Sequence, residues 1–416
     1  IRSGSFRQRE VLQEVGAAQR RGLLCGLKDY TLAIGRLGRE GLWRHALALH
    51  EEMQDKHGLV PDAIAWSSVA GACEKAGQWA VVLDLLRSMR ARTGDLNPVA
   101  HSIAISACGR GLQWQFAVGL LEDLLQGGTG ASAGTGAGAS GPRTVAFNAA
   151  ISACANAQQW QRSLDLLGLL QRSTTAPDVI SYNASISACE KGAQWPLALQ
   201  LLGGMLRHGP QPNTISYNAA ISACEKSGQW EWSLCLLGQL CLPGRSPAPS
   251  VISFCAAMHA CVKGQQWEKA LALFDDLPRH GLEPNEVAFS AAVGALGCAG
   301  RWEDAVAALS RMALAGYYPD VIAYTAAIRA CSTGGRWEVA FAILERMGDL
   351  GVSPSEVTLG AVMRSCESAQ RWDLALHVLR AMRSDFRLDP GPVAFGAALG
   401  ACARVGQWTS AIALLA

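Results

Sequence analysis

Charged residues are scarce in this chain of 416 residues, because they make up only 17% of it and leave a formal net charge of +2. No global basic field therefore marks a nucleic acid partner, although the local placement of charges can matter more than their sum. Long apolar runs are missing as well, and none reaches the roughly 18 residues that a membrane-spanning helix needs. The composition gives no sign of a membrane partner.

Sequence motifs of catalytic and metal sites are also missing. The 14 cysteines include no C-x-x-C pair, and no Cys/His cluster has the spacing of a zinc site. The deaminase combination of H-x-E with paired C-x-x-C is absent, and so is the G-x-S-x-G motif. The glycine-rich stretch 127–141 has no Lys and no preceding strand, which excludes a phosphate-binding loop. We therefore expect no catalytic residues, no cofactor and no metal here.

What the sequence does contain is one unit repeated along its length. Residues 180–195 return 35 residues later as residues 215–230 with nearly the same letters. Tryptophan follows the same period, and the one long gap in its row spans the insertion 127–141. Such a period indicates an array of stacked supersecondary units. The row comprises Trp43, Trp79, Trp114, Trp160, Trp195, Trp230, Trp267, Trp302, Trp337, Trp372 and Trp408.

Each unit is predicted to form two helices. The first runs from a β-branched residue through an Ala/Ser-rich segment to a glycine, and its small residues let neighbouring helices approach closely. The second begins near the tryptophan and carries apolar residues three, four, seven and about ten positions later, as in residues 267–277. Proline near the end of nine of ten units stops the second helix. The predicted fold class is all-α, an α-solenoid of tandem helix-turn-helix repeats.

The array is predicted to fill residues 27–416 with ten full repeats and a truncated eleventh. Residues 1–26 match poorly and are expected to form an irregular N-terminal segment with a leading helix. The Gly/Ala/Ser-rich insertion 127–141 has the composition of a flexible linker and is expected to bulge from the surface. The chain starts without Met and stops inside a predicted helix, which indicates a fragment, so a targeting signal or a catalytic domain is expected only outside these residues.

Nine cysteines share one phase of the repeat, one per unit. Single evenly spaced cysteines are typical of small buried packing residues, and a reducing compartment follows weakly. They are Cys73, Cys108, Cys154, Cys189, Cys224, Cys261, Cys331, Cys366 and Cys402.

The repeat unit resembles the pentatricopeptide repeat in its Val/Ile start, aromatic-Asn pair, mid-unit Gly, Ala-Leu-x-x-Leu-x-x-Met segment and closing Pro-Asp. Residues 177–183 and 212–218 carry these features closely, with Pro177-Asp178 before Tyr182-Asn183 and Pro212-Asn213 before Tyr217-Asn218. Units of nearly constant length resemble the family's pure tandem type. The resemblance implies a right-handed α-solenoid that binds single-stranded RNA, about one base per repeat, with two side chains reading each base.

In that family one reading side chain follows the aromatic residue and the other follows the closing proline. Most of the corresponding residues here are short and polar, which suits the Watson–Crick edge of a base. Helix capping is the alternative for the second member of each pair, since Asp, Asn and Ser are preferred caps. The pairs are Thr31/Asp62, Ser67/Asn97, Ser102/Arg143, Asn148/Asp178, Asn183/Asn213, Asn218/Ser250, Cys255/Asn285, Ser290/Asp320, Thr325/Ser355 and Gly360/Gly391.

By the family's code these pairs imply a partial target of the form G-A-N-U-C-C-N-G. Thr31/Asp62 and Ser290/Asp320 favour G, and Ser67/Asn97 favours A. Asn148/Asp178 favours U, while the two following pairs favour a pyrimidine, C in particular. Cys255/Asn285 and Thr325/Ser355 depart from the code and are assigned only to A as working hypotheses. The bases at the Ser102/Arg143 and Gly360/Gly391 repeats stay open.

A Val or Ile stands three residues before the first reading side chain in every unit after the first. In the family this residue sandwiches the bases, and the alternative is ordinary core packing at a helix start. The row comprises Ile64, Val99, Val145, Ile180, Ile215, Ile252, Val287, Ile322, Val357 and Val393.

A cation recurs eight residues after the first reading side chain in seven units. Such a row suits a phosphate backbone. The alternative is a solvated helix end whose cations match the helix dipole, an option that the adjacent glutamates support. The row comprises Arg39, Lys75, Arg110, Lys191, Lys226, Lys263 and Arg404.

Two function classes follow. The resemblance implies an RNA-binding protein of organellar RNA processing, stabilisation or translation, in a mitochondrion or plastid (chloroplast), acting as a monomer and with other RNA-processing proteins as further partners. The alternative is a tetratricopeptide-like scaffold for protein–protein interaction without RNA, whose unit has 34 residues. The 35-residue period and the varied polar pairs favour RNA, whereas the low basic excess favours the scaffold.

Overall fold

The computed structural model describes residues 2–21, 26–55, 61–93, 98–127, 142–173, 176–242, 247–384, 386 and 388–415. These residues form 23 α-helices and one short 3-10 helix, and no strand occurs in the described ranges. The all-α repeat architecture predicted from the sequence is therefore confirmed. The chain divides into two compact units, Ile1–Ala219 and Ala220–Ala416.

The helices alternate in a fixed order along both units. Every odd-numbered helix from α3 to α23 begins at a tryptophan of the repeat, as its spacing predicts. In chain order the helices are α1 (Arg2–Arg20), α2 (Leu27–Arg39), α3 (Trp43–Asp55), α4 (Ala63–Lys75), α5 (Trp79–Thr93), α6 (Pro98–Arg110), α7 (Trp114–Gly127), α8 (Pro142–Asn156), α9 (Trp160–Arg172), α10 (Val179–Lys191), α11 (Trp195–His208), α12 (Thr214–Lys226), α13 (Trp230–Leu240), α14 (Val251–Lys263), α15 (Trp267–Asp276), α16 (Glu286–Ala299), α17 (Trp302–Leu314), α18 (Val321–Thr333), α19 (Trp337–Asp349), α20 (Glu356–Ser368), α21 (Trp372–Ser384), α22 (Pro392–Val405) and α23 (Trp408–Leu415).

We call the even-numbered helices from α2 onward the first helices and the odd-numbered ones from α3 onward the second helices. The segment before the repeats contains α1, and the 3-10 helix Pro278–His280 follows α15. The insertion predicted at 127–141 lies, apart from the last residue of α7, outside the described residues. No helix in the described part of the chain has both the length and the apolarity needed to cross a membrane.

Consecutive first helices pack directly on one another within each unit. In the first unit α2, α4, α6, α8 and α10 form such a row, and in the second unit α14, α16, α18, α20 and α22 do. The second helices other than α13 instead pack against the first helix of their own repeat, and within a unit the second helices, α13 included, pack against the first helix of the next repeat. The first helices are thus the closely spaced row.

Small residues make this close spacing possible. A Cβ atom added to Gly38 would lie 2.9 Å from the Cβ of Ala72 on the next first helix. A Cβ added to Gly297 would lie 2.6 Å from the carbonyl oxygen of Ala326, well inside van der Waals contact. Because cores are packed at crystal-like density, a larger side chain at either place would push two repeats apart.

The turn from the first to the second helix has one conformation throughout. A residue with positive φ follows the first helix, for example Gly228 at 70°, and the next amide donates to the carbonyl of the residue at the phase-cysteine position, as from Gln229 to Cys224 at 2.9 Å. In the two repeats without that cysteine, the acceptor is the carbonyl of Leu37 or Leu296. This is the Schellman arrangement, which satisfies the last carbonyls of a helix. Ala193 and Gln265 adopt the same left-handed conformation at 53° and 57°, although non-glycine residues there are strained.

The core lies between the two helix rows of each unit. Aromatic residues of the first helices, such as Tyr30 and Phe254, are almost fully buried, and Tyr30 lies in one cluster with Leu49 and Met53 of α3. All nine phase cysteines are buried and free, so their prediction as packing residues is confirmed. Burial raises the pKa of thiols such as Cys73 and Cys224 from 9.0 to about 11, so these side chains stay neutral near pH 7.

The repeat tryptophans pack against a small residue of the next repeat. The Trp230 indole lies against Gly264, where an added Cβ would fall 2.3 Å from the ring carbon Cδ1. Trp160 lies in the same way against Gly192 of the next repeat, at 2.4 Å. In the second unit the exposed face of Trp230 is covered by Lys269, whose Nζ lies 3.7 Å from the ring centroid, a cation–π contact.

We expect Gly264→Ala to lower the free energy of unfolding by about 1–3 kcal/mol, the usual cost of overpacking. The backbone at Gly264 has a negative φ of −79°, which alanine adopts freely, so the effect is steric. Gly238→Ala in α13 is the matched control, because an added Cβ there meets nothing within 4 Å. Thermal and urea unfolding would check both variants, and equal stability of the two would contradict the packing role of Trp230.

Candidate nucleic-acid interface

One face of the first helices carries the three predicted sets of side chains, and in several repeats all three occur together. In α4 the helical spacing places Ile64, Ser67 and Lys75 on the same side. Ile64 and Lys75 are exposed and Ser67 is half-buried, whereas Val69 and Cys73 on the other side are buried in the core. We call this side the first-helix face.

The aliphatic residues predicted to sandwich bases lie exposed on the first-helix face. All ten are described by the structure, and their exposed fractions range from 46% to 71%. Core packing, the alternative interpretation of this row, is therefore wrong. Apolar side chains kept in water at a fixed period provide an apolar contact surface. Their exposed fractions are Ile64 66%, Val99 47%, Val145 46%, Ile180 60%, Ile215 63%, Ile252 66%, Val287 47%, Ile322 71%, Val357 64% and Val393 60%.

The Asn148/Asp178 pair is brought into direct contact. The Asn148 amide Nδ2 donates to both carboxylate oxygens of Asp178, at 3.1 and 3.2 Å. The Ser181 hydroxyl donates to Asn148 Oδ1 at 2.5 Å. Because the carbonyl side of the amide is held by Ser181, its NH2 side is turned toward Asp178. The pair forms one preorganised polar group in the first unit.

The next repeat reproduces this arrangement. Asn183 Nδ2 donates to Asn213 Oδ1 at 3.2 Å, and the Ser216 hydroxyl donates to Asn183 Oδ1 at 2.6 Å. Sequence reasoning missed Ser181 and Ser216. Their signal was a serine or threonine three residues after the closing cap residue, which recurs as Ser253 and Thr358.

In the second unit the predicted pairs meet through weaker or indirect contacts. The Ser290 hydroxyl donates to Asp320 Oδ1 at 3.4 Å, and Cys255 Sγ lies 3.8 Å from Asn285 Oδ1. In the described part of the chain no direct hydrogen bond joins Thr325 and Ser355. Both hydroxyls instead bond the Thr358 hydroxyl, at 2.7 and 2.9 Å.

Other reading positions are held by their own helices. The hydroxyls of Thr31 and Ser102 donate to the backbone carbonyls of Leu27 and Pro98. Asp62 accepts from the Ala65 amide at 2.8 Å, and Arg143 is exposed. Asn97 lies outside the described residues, while Ser67 and Asn218 in the first unit and Ser250 in the second are half-buried.

The Gly360/Gly391 repeat has no reading side chain of its own. A Cβ added to Gly391 would lie only 1.9 Å from Oε1 of Glu356, so this carboxylate fills the space that a side chain at position 391 would take. Sequence reasoning missed Glu356 because it lies outside the predicted reading positions.

The closing residue of each pair is also a helix cap. The Asp178, Asn213 and Asn285 side chains accept from the backbone amides of Ser181, Ser216 and Ala288, at 2.9 to 3.0 Å. Ser250, Asp320 and Ser355 cap α14, α18 and α20 in the same way. Capping, which was the alternative interpretation, is therefore present, and in four repeats the same side chain also contacts the first reading residue.

The predicted phosphate row is exposed, but several of its members pair with glutamates of the preceding repeat. Arg110 lies 3.4 Å from Glu74, Lys263 lies 3.0 Å from Glu225, and Arg404 lies 3.4 Å from Glu367. The glutamate side chains are only 16% to 23% exposed, so they are more buried than the cations with which they pair. Lys191 Nζ donates to Asn156 at 2.8 Å. Lys75, Lys226 and Arg39 are exposed at the ends of their helices.

A cavity of about 410 Å³ brings the three sets together in the first unit. Val145, Ile180, Asn148, Asp178 and Arg110 are among the residues that line it. The cavity thus combines two apolar side chains, a polar pair and a cation. Among the described residues no group of three or more His, Cys, Asp or Glu side chains is placed to hold a metal ion.

Family models match this chain repeat by repeat. Residues 166–227 and 309–368 match the model described as "Pentatricopeptide repeat domain". Residues 29–57, 64–93, 215–241 and 252–282 match the model described as "PPR repeat". Together these segments span more than half of the 416 residues.

Solved structures share the fold at low identity. The crystal structure of the pentatricopeptide repeat protein PPR10 from maize is 18% identical, with a TM-score of 0.54 over 99% of this chain and 66% of that chain. This chain thus spans slightly less than two thirds of that maize protein. PPR10 in complex with an 18-nt psaJ RNA element is 17% identical, with a TM-score of 0.37 over 94% and 73% of the two chains.

The PPR domain of Arabidopsis thaliana protein-only RNase P 1 in complex with tRNA is 16% identical, with a TM-score of 0.32 over 59% of this chain and 98% of that chain. No curated protein matches. Because these family models match more than half of its residues along the array of tandem helix pairs, the chain belongs to the pentatricopeptide repeat family.

Proposed function

We propose that this chain binds single-stranded RNA with sequence selectivity, about one base per repeat. The observation that carries the proposal is the cavity of about 410 Å³ that is lined by the exposed Val145 and Ile180 together with the Asn148/Asp178 pair. An unstacked base needs an apolar contact on both faces and hydrogen-bonding groups at its edge. This cavity offers both.

The hydrogen bonds around Asn148 define what its base edge would meet. Ser181 occupies the amide oxygen, so the pair presents the Asn148 N–H groups and the acceptor oxygens of Asp178. Uracil complements this pattern with its carbonyl acceptors and its N3–H donor; the other bases also carry an acceptor and a donor on this edge, so the choice of U rests on the family's code. The assignment of U to this repeat by the family's code agrees with that chemistry.

The low net charge is compatible with a polyanionic ligand, because ion pairs on the first-helix face neutralise part of the local positive charge. Glu74, Glu225 and Glu367 neutralise cations that would otherwise attract any nucleic acid. Phosphate contacts supply affinity that carries no sequence information. A face that weakens this contribution leaves a larger share of the binding free energy to base contacts, which supports selective recognition.

The biological role that we propose follows from the protein's occupation of a stretch of single-stranded RNA. A protein that covers a single strand blocks nucleases, remodels RNA structure or recruits other RNA-processing proteins, and needs no catalytic residue of its own. Family membership supports action in RNA processing, stabilisation or translation in a mitochondrion or plastid, as a monomer on the RNA.

A tetratricopeptide-like protein scaffold is the second candidate function. The partly neutralised cation row favours it, because a peptide ligand does not require a basic surface. The exposed aliphatic row at one residue per repeat favours RNA instead, since it suits bases spaced regularly along a strand. The binding experiments below separate the two.

The protein is expected to bind single-stranded RNA of the form G-A-N-U-C-C-N-G more tightly than a scrambled strand of equal composition. Each wrong base costs about 1–3 kcal/mol where direct readout applies, so the difference should exceed tenfold. Fluorescence anisotropy at several salt concentrations would measure it. Equal affinity for both strands would contradict the code, and no binding to either would favour the scaffold.

Asn148→Thr is expected to shift the preferred base at that repeat from U to G, by roughly tenfold in relative affinity. The variant creates a Thr/Asp pair, which matches Thr31/Asp62, the pair assigned to G. Competition between probes that differ at this base would measure the switch. A G-substituted probe that restores wild-type affinity to the variant supports the pairing, whereas an unchanged preference contradicts it. Circular dichroism would verify the fold.

Glu225→Gln is expected to strengthen RNA binding and to steepen its salt dependence. The change releases Lys263 from an ion pair of 3.0 Å, and one additional phosphate contact raises the salt slope by about 0.7 for a single strand. Because exposed pairs contribute little, stability should change by less than about 1 kcal/mol. Glu268→Gln, which removes an exposed glutamate from the second helix α15, is the control. Equal slopes for the two variants would exclude Lys263 from phosphate binding.

A further inference from the structure

The residue four positions after the first reading side chain is small in most repeats but an arginine in two of them. It is Gly71 in α4 and Ser152 in α8, and it is Arg329 in α18 and Arg364 in α20. In these two repeats the predicted phosphate position, eight after the reading residue, holds Thr333 and Ser368 and so lacks a cation. The positive charge has moved one helical turn, about 5.4 Å, toward the reading side chains.

Arg329 and Arg364 line two cavities of the second unit. One, of about 430 Å³, also contains the reading residues Thr325 and Ser355 and the exposed aliphatic Ile322. The other, of about 670 Å³, lies toward the helix ends and is lined as well by Arg404. The two arginines therefore line both the cavity that holds reading residues and the wider, basic one.

The wider cavity carries an excess of positive charge. Three arginines from three consecutive first helices line it, and Glu367 is the carboxylate among its lining residues. Glu367 pairs with Arg404 at 3.4 Å. In the described part of the chain no ion pair involves Arg329 or Arg364. These two guanidinium groups thus lack the neutralising glutamate that Arg110 and Lys263 have.

The Arg329 side chain is held in place by some of its hydrogen-bond donors, while another donor has no partner among the described residues. Its Nη2 donates to the carbonyl oxygen of Gly294 at 3.4 Å and contacts Cys298 Sγ at 3.3 Å. Its Nε is buried and has no hydrogen-bond partner among the described residues. A buried donor without a partner costs free energy, so a ligand oxygen that reaches it is stabilising.

We propose that Arg329 and Arg364, together with Arg404, bind the phosphodiester backbone of single-stranded RNA along the second unit. This inference rests on the proposed function. It assigns phosphate binding to these arginines in the repeats that lack a cation eight residues after the first reading side chain. A planar guanidinium donates two parallel hydrogen bonds to one phosphate, which a lysine does not. Three arginines on consecutive first helices match the repeated phosphates of a strand that places one base per repeat.

The double variant Arg329→Gln/Arg364→Gln tests the proposal with the full chain. The probe is a fluorescent pool of single-stranded RNA with randomised sequence, so that phosphate contacts are measured apart from base readout. Loss of two phosphate contacts should reduce the slope of log affinity against log salt by about 1.4. Affinity at low salt should fall roughly tenfold or more, because these are charge-assisted hydrogen bonds.

The matched control is Arg380→Gln/Arg383→Gln, which removes two exposed arginines from the second helix α21. It changes the net charge equally and should leave the slope within measurement error. Arg329→Lys/Arg364→Lys should retain most of the slope, since the charges remain. Thermal unfolding of each variant distinguishes loss of binding from loss of fold.

The outcomes separate the two proposals. If the wild-type chain binds RNA and the Arg329/Arg364 glutamine variant keeps the wild-type slope, this inference is overturned while the proposed function stands. An unchanged slope together with a changed base preference, measured with probes of defined sequence, would also overturn it, because the arginines would then read base edges. If the wild-type chain binds no single-stranded RNA, both proposals fall.

Discussion

The close approach of consecutive first helices is the constraint on which the rest of this structure depends. It is set by residues with little or no side chain, such as Gly38 against Ala72 and Gly297 against Ala326. Only at this spacing does the residue that closes one repeat reach a side chain inside the first helix before it, as Asp178 reaches Asn148. The packing of the core therefore decides the geometry of the surface.

The same polar side chains stabilise the helices and form the candidate recognition site. Asp178 accepts from the Ser181 amide as a cap and from the Asn148 amide as a partner. An acceptor that already has two protein donors is fixed in orientation, which lowers the entropic cost of presenting it to a ligand. Changing such a residue alters helix stability and recognition together, so neither effect is measured alone by a single substitution at this position.

Much of the fold and part of the site were predictable from the sequence, and the difference has a physical cause. Periodicity fixes what lies within one helix, which is why the start of each second helix at its tryptophan and the burial of residues such as Cys73 were predicted correctly. Periodicity did not decide whether Ile64 is buried in the core or exposed on the surface. Contacts between repeats, such as Arg110 with Glu74 or Glu356 in the space beside Gly391, depend on the rise from one helix to the next. A single sequence does not contain that distance.

The contact between Trp230 and Gly264 bears on how such an array can be lengthened or recombined. Each indole belongs to one repeat, while the glycine that makes room for it belongs to the next. Other repeats carry alanine in that place, as at Ala76 and Ala369. The segment that keeps this contact within itself thus runs from a tryptophan to the following small residue, across the repeat boundary marked by the helix caps. Duplicating segments with these ends would preserve each contact of a tryptophan with its glycine, whereas segments cut at the caps would place the two residues in different segments.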